Sequence, residues 1–237
     1  MIDDIVTTIS SFFELGGPVV AIIALLSVFA LALILLKLAQ FQRERVGRHG
    51  RSNRALHAWF HHDHGEARAL LGNARSPVEE TLATAMRLAA SGKAATSAIE
   101  DEVARVALGR LHDLQRGLRA LDAIAQVAPL LGLFGTVLGM IDAFQKLQAA
   151  GNTVDPSILA GGIWVALLTT ACGLAVAMPV SLVLTWFETR LENERVAVET
   201  MTSAVLSHAA LGETGEPRPA VERSAPVLLH GAPRHAH

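Results

Sequence analysis

The chain predicts an all-α membrane protein, with three transmembrane helices and long cytoplasmic helical extensions. Three observations carry that reading. Apolar residues make up 51% of the 237 positions and charged residues only 18%. Three stretches lack any charged side chain: 22 residues from Leu15 to Leu36, 19 from Ala123 to Ile141, and 32 from Pro156 to Phe187. And 13 of the 20 Lys and Arg residues fall between positions 38 and 121. The apolar content excludes a chain disordered throughout. Cys172, the only cysteine, excludes an internal disulfide framework. A formal net charge of −2 makes no case for nucleic-acid binding.

Each uncharged stretch is long enough to cross a bilayer, because a helix rises ~1.5 Å per residue and the hydrocarbon core is ~30 Å thick. Backbone amides in lipid must pair within their own segment, so the spans are helices. Soluble helices of this length carry a polar face, which these lack. The first lies in residues 1–37. It follows Met1-Ile2-Asp3-Asp4 rather than the basic start of a secretory signal, and Lys37, Arg43, Arg45, Arg48, Arg51 and Arg54 come after it. It is read as a retained transmembrane helix with a periplasmic N-terminus. The basic segment 38–121 then belongs in the cytoplasm, the loop 149–157 outside, and the C-terminus inside.

Within 38–121, Ser76-Pro77-Val78-Glu79 has the form of a helix start, with Ser at the N-cap, Pro at the first position and Glu at the third. A later stripe, Ile99, Val103, Val106, Leu111, Leu114, Leu118 and Leu121, runs toward the second span without an evident breaker. It predicts one helix over about 95–148, of which 122–148 is the second transmembrane helix. The third, 158–188, should continue as a cytoplasmic extension, 189–211, and stop at Gly212. Residues 212–237 hold four of the nine prolines and predict a disordered tail. Trp164 and Trp186 stand 22 residues apart, or ~33 Å on a helix; they suit two interfacial belts or simple packing. His57, His61, His62 and His64 have the look of metal ligands, but a polar turn on the cytoplasmic side is the better reading, since no cysteine or second histidine cluster completes a set. No metal and no cofactor is expected.

The membrane part is informative by what it lacks. No Asp, Glu, Lys, Arg or His lies in the three spans; Asp122 and Asp142 only flank the second. A proton path normally needs an ionisable group at membrane depth. Either this chain moves no ions or a partner helix supplies the acid. The spans are instead rich in small residues. Gly132, Gly135 and Gly139 on the second, and Gly173 and Ala177 on the third, allow close helix contact. Depth counted from Asp122 and Trp186 puts Thr136 and Thr170 at one level, ~21 and ~24 Å up, and Pro129 and Pro179 at another, ~10 Å up. The hydroxyls form a matched layer or merely bond back to their own helices.

The residues Gly132-Leu133-Phe134-Gly135-Thr136-Val137-Leu138-Gly139 resemble the second membrane helix of the MotA/TolQ/ExbB family. The residues Leu167-Leu168-Thr169-Thr170-Ala171-Cys172-Gly173-Leu174-Ala175-Val176-Ala177-Met178-Pro179 resemble its third, and the match is nearest to the ExbB and TolQ branch. The resemblance implies a homo-oligomeric ring, a pentamer, in the bacterial inner membrane. It implies an ExbD/TolR-like single-helix partner whose membrane aspartate carries the proton, and a TonB-like periplasmic protein that receives the force. Carried over by position, Thr136, Thr170 and the adjacent Thr169 line the proton path. Many ExbB and TolQ sequences have glutamate where this chain has Val165, so a lining carboxylate is absent. The expected function is an ExbB-like subunit of a proton-driven motor for TonB-dependent transport. A TolQ-like role in the Tol-Pal system and a non-conducting scaffold remain alternatives. No nucleophile–base pair or phosphate loop points to an enzyme.

Overall fold

The computed structural model describes residues 2–92, 95–149 and 156–213, with side chains described for 17–92, 95–149, 156–157 and 159–210. It contains α1 (Ile2–Arg43), α2 (Gly50–Phe60), α3 (His64–Leu71), α4 (Pro77–Ser91), α5 (Thr96–Gln115), α6 (Leu118–Ala149) and α7 (Pro156–Glu213). There is no strand among the described residues. The expected tail lies almost wholly outside them.

Three helical stretches are long and apolar enough to cross a membrane: α1 from Gly17, α6 and α7. Gly17 breaks α1 with φ +63°, a backbone region that favours glycine, and Pro18 follows with no N–H to donate. Leu25, Val28 and Leu36 on α1, Leu130 and Leu133 on α6, and Leu167 and Leu182 on α7 are exposed. Apolar surface on this scale belongs against lipid or other membrane helices.

The helix expected over about 95–148 is in fact two. It breaks at Arg116-Gly117, and Gly117 takes φ +86°. The apolar stripe runs straight through the break, which is why it hid it. Lys37 Nζ donates to the Leu114 carbonyl at 3.0 Å and to Gln40 Oε1 at 2.7 Å. The last turn of α5 thus bonds to a buried ammonium group on α1. A side chain at position 117 would meet Lys37 Cε at 3.1 Å, so glycine also makes room for that ammonium.

α4 starts as the sequence predicts. Ser76 Oγ accepts from Glu79 N–H at 3.1 Å, and Pro77 occupies the first turn. The Glu79 carboxylate accepts from the Arg75 N–H at 2.9 Å. Gly92 ends the helix in the left-handed conformation.

Two larger apolar clusters, with a small third one of Val78, Ala107 and Val198, hold the described residues together. One joins α2 to α5 with the far end of α7, through Trp59, Leu82, Met86 and Val205. The other joins α1, α5, α6 and α7 where the basic domain meets the spans, through Phe41, Leu114, Leu121 and Phe187. The rings of Phe41 and Phe187 meet edge to face with centroids 5.0 Å apart. α7 is the common spine of both. Between the clusters its Glu194 is fully buried, accepting from Gly47 N–H at 2.8 Å and facing His49 Nε2 at 2.9 Å.

Candidate functional site

The most closely packed part of the molecule is the antiparallel pair α6–α7. Its seam consists of the small residues the sequence singled out. A Cβ added at Gly132 would lie 2.9 Å from the Thr169 carbonyl oxygen and 3.0 Å from the Thr170 Cα. One at Gly135 would collide with the Thr169 side chain at 2.6 Å, and one at Gly139 would meet Ala166 at 3.2 Å. From the other side, a Cβ at Gly173 would lie 2.5 Å from the Ala128 carbonyl oxygen. Gly162, opposite Ala143, extends the seam. Ala177 is buried toward its basic end. Backbone contact of this kind needs residues without side chains, and lipid offers no hydrophobic drive to replace it.

Thr169 belongs to the seam. It is 2% exposed, and its hydroxyl lies 2.7 Å from the Ala166 carbonyl and 3.1 Å from the Gly132 carbonyl across the pair. It ties α7 to α6 and does not face outward. Thr136 is half-buried and donates to the Leu133 carbonyl at 2.6 Å, so its hydroxyl bonds back to its own helix. Thr170 is also half-buried, and its Oγ1 has no partner. It is the one buried side-chain polar atom of the membrane hairpin left unpaired among the described residues.

The seam fixes the register. Gly135 faces Thr169, Gly139 faces Ala166 and Ala143 faces Gly162. Thr136 and Thr170 therefore stand within ~3 Å of one level. The prolines do not share a level: in the same register Pro129 and Pro179 are about one helical turn, ~5 Å, apart. The expected proline layer fails because its two markers differ in depth. Trp186 lies about four residues further toward the basic end than Asp122.

α1 covers one flank of the hairpin. Its Gly17, Pro18 and Val19 share a cleft of about 690 Å³ with Leu138, Asp142 and Val165. Asp142 and Lys146 pair there at 2.7 Å. A helix turns ~100° per residue, so Thr136 is turned about 160° from Leu138 and Thr170 about 140° from Val165. The two threonines sit on the flank away from α1. Val165 is on the α1 flank. Trp164 and Trp186 are 65% and 45% exposed, so neither is a core residue. Each lines a cleft at an opposite end of the spans.

The histidines gather more fully than their sequence spacing shows. His57 and His61 bring their Nε2 atoms to 3.3 Å. His208, from the end of α7, comes within 5.7 Å of the His62 ring and 5.1 Å of Phe60. Among the described residues no three His, Cys, Asp or Glu groups converge on one point. Lys37 and Glu194 were not singled out by the sequence. Gly117 was the available sign for Lys37; nothing local marks Glu194.

A chain with three apolar crossings, a hydroxyl-bearing seam between two of them and a helical domain beyond is a multi-pass membrane protein organised around a helix pair. Residues 73–200, more than half of the chain, match the MotA/TolQ/ExbB proton channel family, and the chain belongs to that family. It is 36% identical over 134 residues to an ExbB homolog of Methanothermobacter thermautotrophicus, covering 56% of this chain and 46% of that protein. It is 47% identical over 68 residues to the biopolymer transport protein exbB1 of Vibrio cholerae, covering 29% of this chain and 30% of that one. The Tol-Pal system protein TolQ of Haemophilus influenzae is 39% identical over 69 residues, 29% of this chain and 30% of its own. The matches thus span less than half the length of these relatives.

Proposed function

We propose that this chain is an ExbB-like subunit of an inner-membrane proton-driven motor. Several copies form a ring around the single membrane helix of an ExbD/TolR-like partner. The N-terminus is periplasmic and the basic helical domain cytoplasmic, following the distribution of Lys and Arg. The partner's carboxyl group takes a proton from outside, loses its charge, and can then move along an uncharged wall. Each proton delivers ~2.3 kcal/mol per 100 mV of membrane potential, so protons are passed one at a time. The ring hands the resulting motion to a TonB-like periplasmic protein.

The observation that carries this reading is the Thr170 hydroxyl. An unpaired buried hydroxyl is costly where no water competes, and such groups persist at functional positions. It stands level with Thr136, on the flank that α1 leaves open, in a pair of stretches, 123–141 and 156–187, that hold no acid or base of their own. The pair supports a wall that offers hydrogen bonds to a passing carboxyl group or water. Energised uptake tests it. In cells lacking the resident subunit, Thr136→Val and Thr170→Val should abolish TonB-dependent uptake while native gels still show the assembled ring. Full uptake in both variants refutes the role.

The similarity to TolQ favours a second reading, a subunit of a Tol-Pal-type system. Complementation of a TolQ deletion, and not of an ExbB deletion, would select it.

A further inference from the structure

We propose that the basic end of the spans holds a binding site for the phosphate headgroup of an anionic phospholipid, built by Arg45, Arg48, Arg54 and Arg190. Two adjoining cavities meet there. One, of about 260 Å³, is lined by Arg45, Arg48, Arg51, Arg54 and Glu79. The other, of about 480 Å³, shares Arg45 and Arg48 and is otherwise lined by residues such as Leu38, Phe41, Trp186 and Arg190. One compartment is cationic and the other combines apolar walls with one further arginine, Arg190. That is the polarity of a phospholipid, phosphate at one end and acyl chain at the other.

The arginines are free for it. Among the described residues, four arginines elsewhere pair with an acid: Arg105 with Glu102, Arg110 with Glu80, Arg116 with Asp113 and Arg195 with Glu199. Among the described residues Arg45, Arg48 and Arg54 have no carboxylate partner and no side-chain hydrogen bond. Arg51 differs. It donates to the Leu70 carbonyl at 2.6 Å and lies 3.7 Å from Glu79, so it answers the one acid in the pocket and builds its wall. Arg190 is held over the Trp186 ring, 5.4 Å from the centroid. Its guanidinium also lies against Gly47, where a Cβ would meet Nη1 at 3.0 Å.

The backbone between them is unusual. Arg45 takes φ +53°, a left-handed conformation few non-glycine residues adopt, inside the turn that ends α1. The turn keeps Arg45 and Arg48 lining the same two cavities. Guanidinium groups bind phosphate through paired N–H donors, and basic pockets where membrane helices enter the polar boundary select anionic headgroups. Leu38, Trp186 and the exposed apolar face of α1 place the site beside acyl chains, which a soluble phosphate would not use.

Native mass spectrometry of the purified assembled protein tests the site. It is titrated separately with phosphatidylglycerol, phosphatidylcholine and inorganic phosphate. The site predicts that phosphatidylglycerol is retained at least about tenfold better than phosphatidylcholine, and that inorganic phosphate does not displace it. The double variant Arg45→Gln/Arg48→Gln should lose that preference, while Arg105→Gln keeps it. Equal retention of both lipids by the wild type overturns the proposal without reference to any variant. Displacement by inorganic phosphate also overturns it, in favour of a soluble anion site, and so does an assembled double variant that keeps the preference.

Discussion

The backbone of Gly132 lies so close to that of Thr170 that a methyl group on the glycine would stand 3.0 Å from the Thr170 Cα. No side-chain rotation relieves such a contact, because both parties are main chain. The α6–α7 hairpin is therefore set by the absence of atoms at a few positions, and its hydroxyls inherit their places from it.

Glycines in the seam and outside it should respond differently. Gly132→Ala and Gly173→Ala must push two helices apart, at a cost of about 1–3 kcal/mol each. Gly161→Ala meets nothing within 4 Å and should be neutral or slightly stabilising. Thermal unfolding of the detergent-solubilised protein separates the two groups. Equal melting temperatures for all three would contradict the seam.

The neighbouring threonines should part company in the same assay. Thr169→Val removes an interhelical hydrogen bond, worth about 0.6 kcal/mol and at most ~2. Thr170→Val removes a hydroxyl that has no partner, so stability should hold or rise. Loss of stability in Thr170→Val matching that in Thr169→Val would give both a structural role and remove the argument for Thr170.

Lys37 makes a different kind of contact. Its ammonium group holds the last turn of α5 against α1. Lys37→Met keeps much of the side chain but loses that charge-assisted bond, at a cost of ~1.5–3 kcal/mol. Hydrogen exchange should speed up at residues 114–118 first. Unchanged exchange there would show the Gly117 break to be self-supporting.

Glu194 is buried on α7 with the Gly47 amide and His49 as its partners. Glu194→Ala leaves both without an acceptor and should destabilise by ~1–3 kcal/mol. Glu194→Gln retains a carbonyl for the Gly47 N–H and should cost less. If the two variants melt together, the carboxylate's hydrogen bonds are not what hold α7 to the α1–α2 turn.

The spans and their helical nature were legible because length and freedom from charge are local properties that the bilayer enforces. The small residues of the seam were legible as a set, but the cross-helix pairing, Gly162 against Ala143 included, was not readable. Position 117 was missed because an apolar stripe reports which face is buried and says little about a break that keeps the face. The proline layer failed because two residues near a boundary need not share a depth. The burial of Glu194 could not be read, since its partners Gly47 and His49 lie about 145 positions away in the chain. Thr169 and Thr170 are adjacent and chemically identical. Only packing distinguishes the one that clasps α6 from the one left unpaired.

Proton flux into liposomes tests the central claim most directly: this chain builds the wall and another molecule brings the acid. The purified chain is reconstituted alone, then with a single-helix partner bearing one membrane aspartate, under the same imposed potential. The account predicts flux only with the partner, and its loss in Thr170→Val with the assembly intact. Equal flux from the chain alone would contradict it.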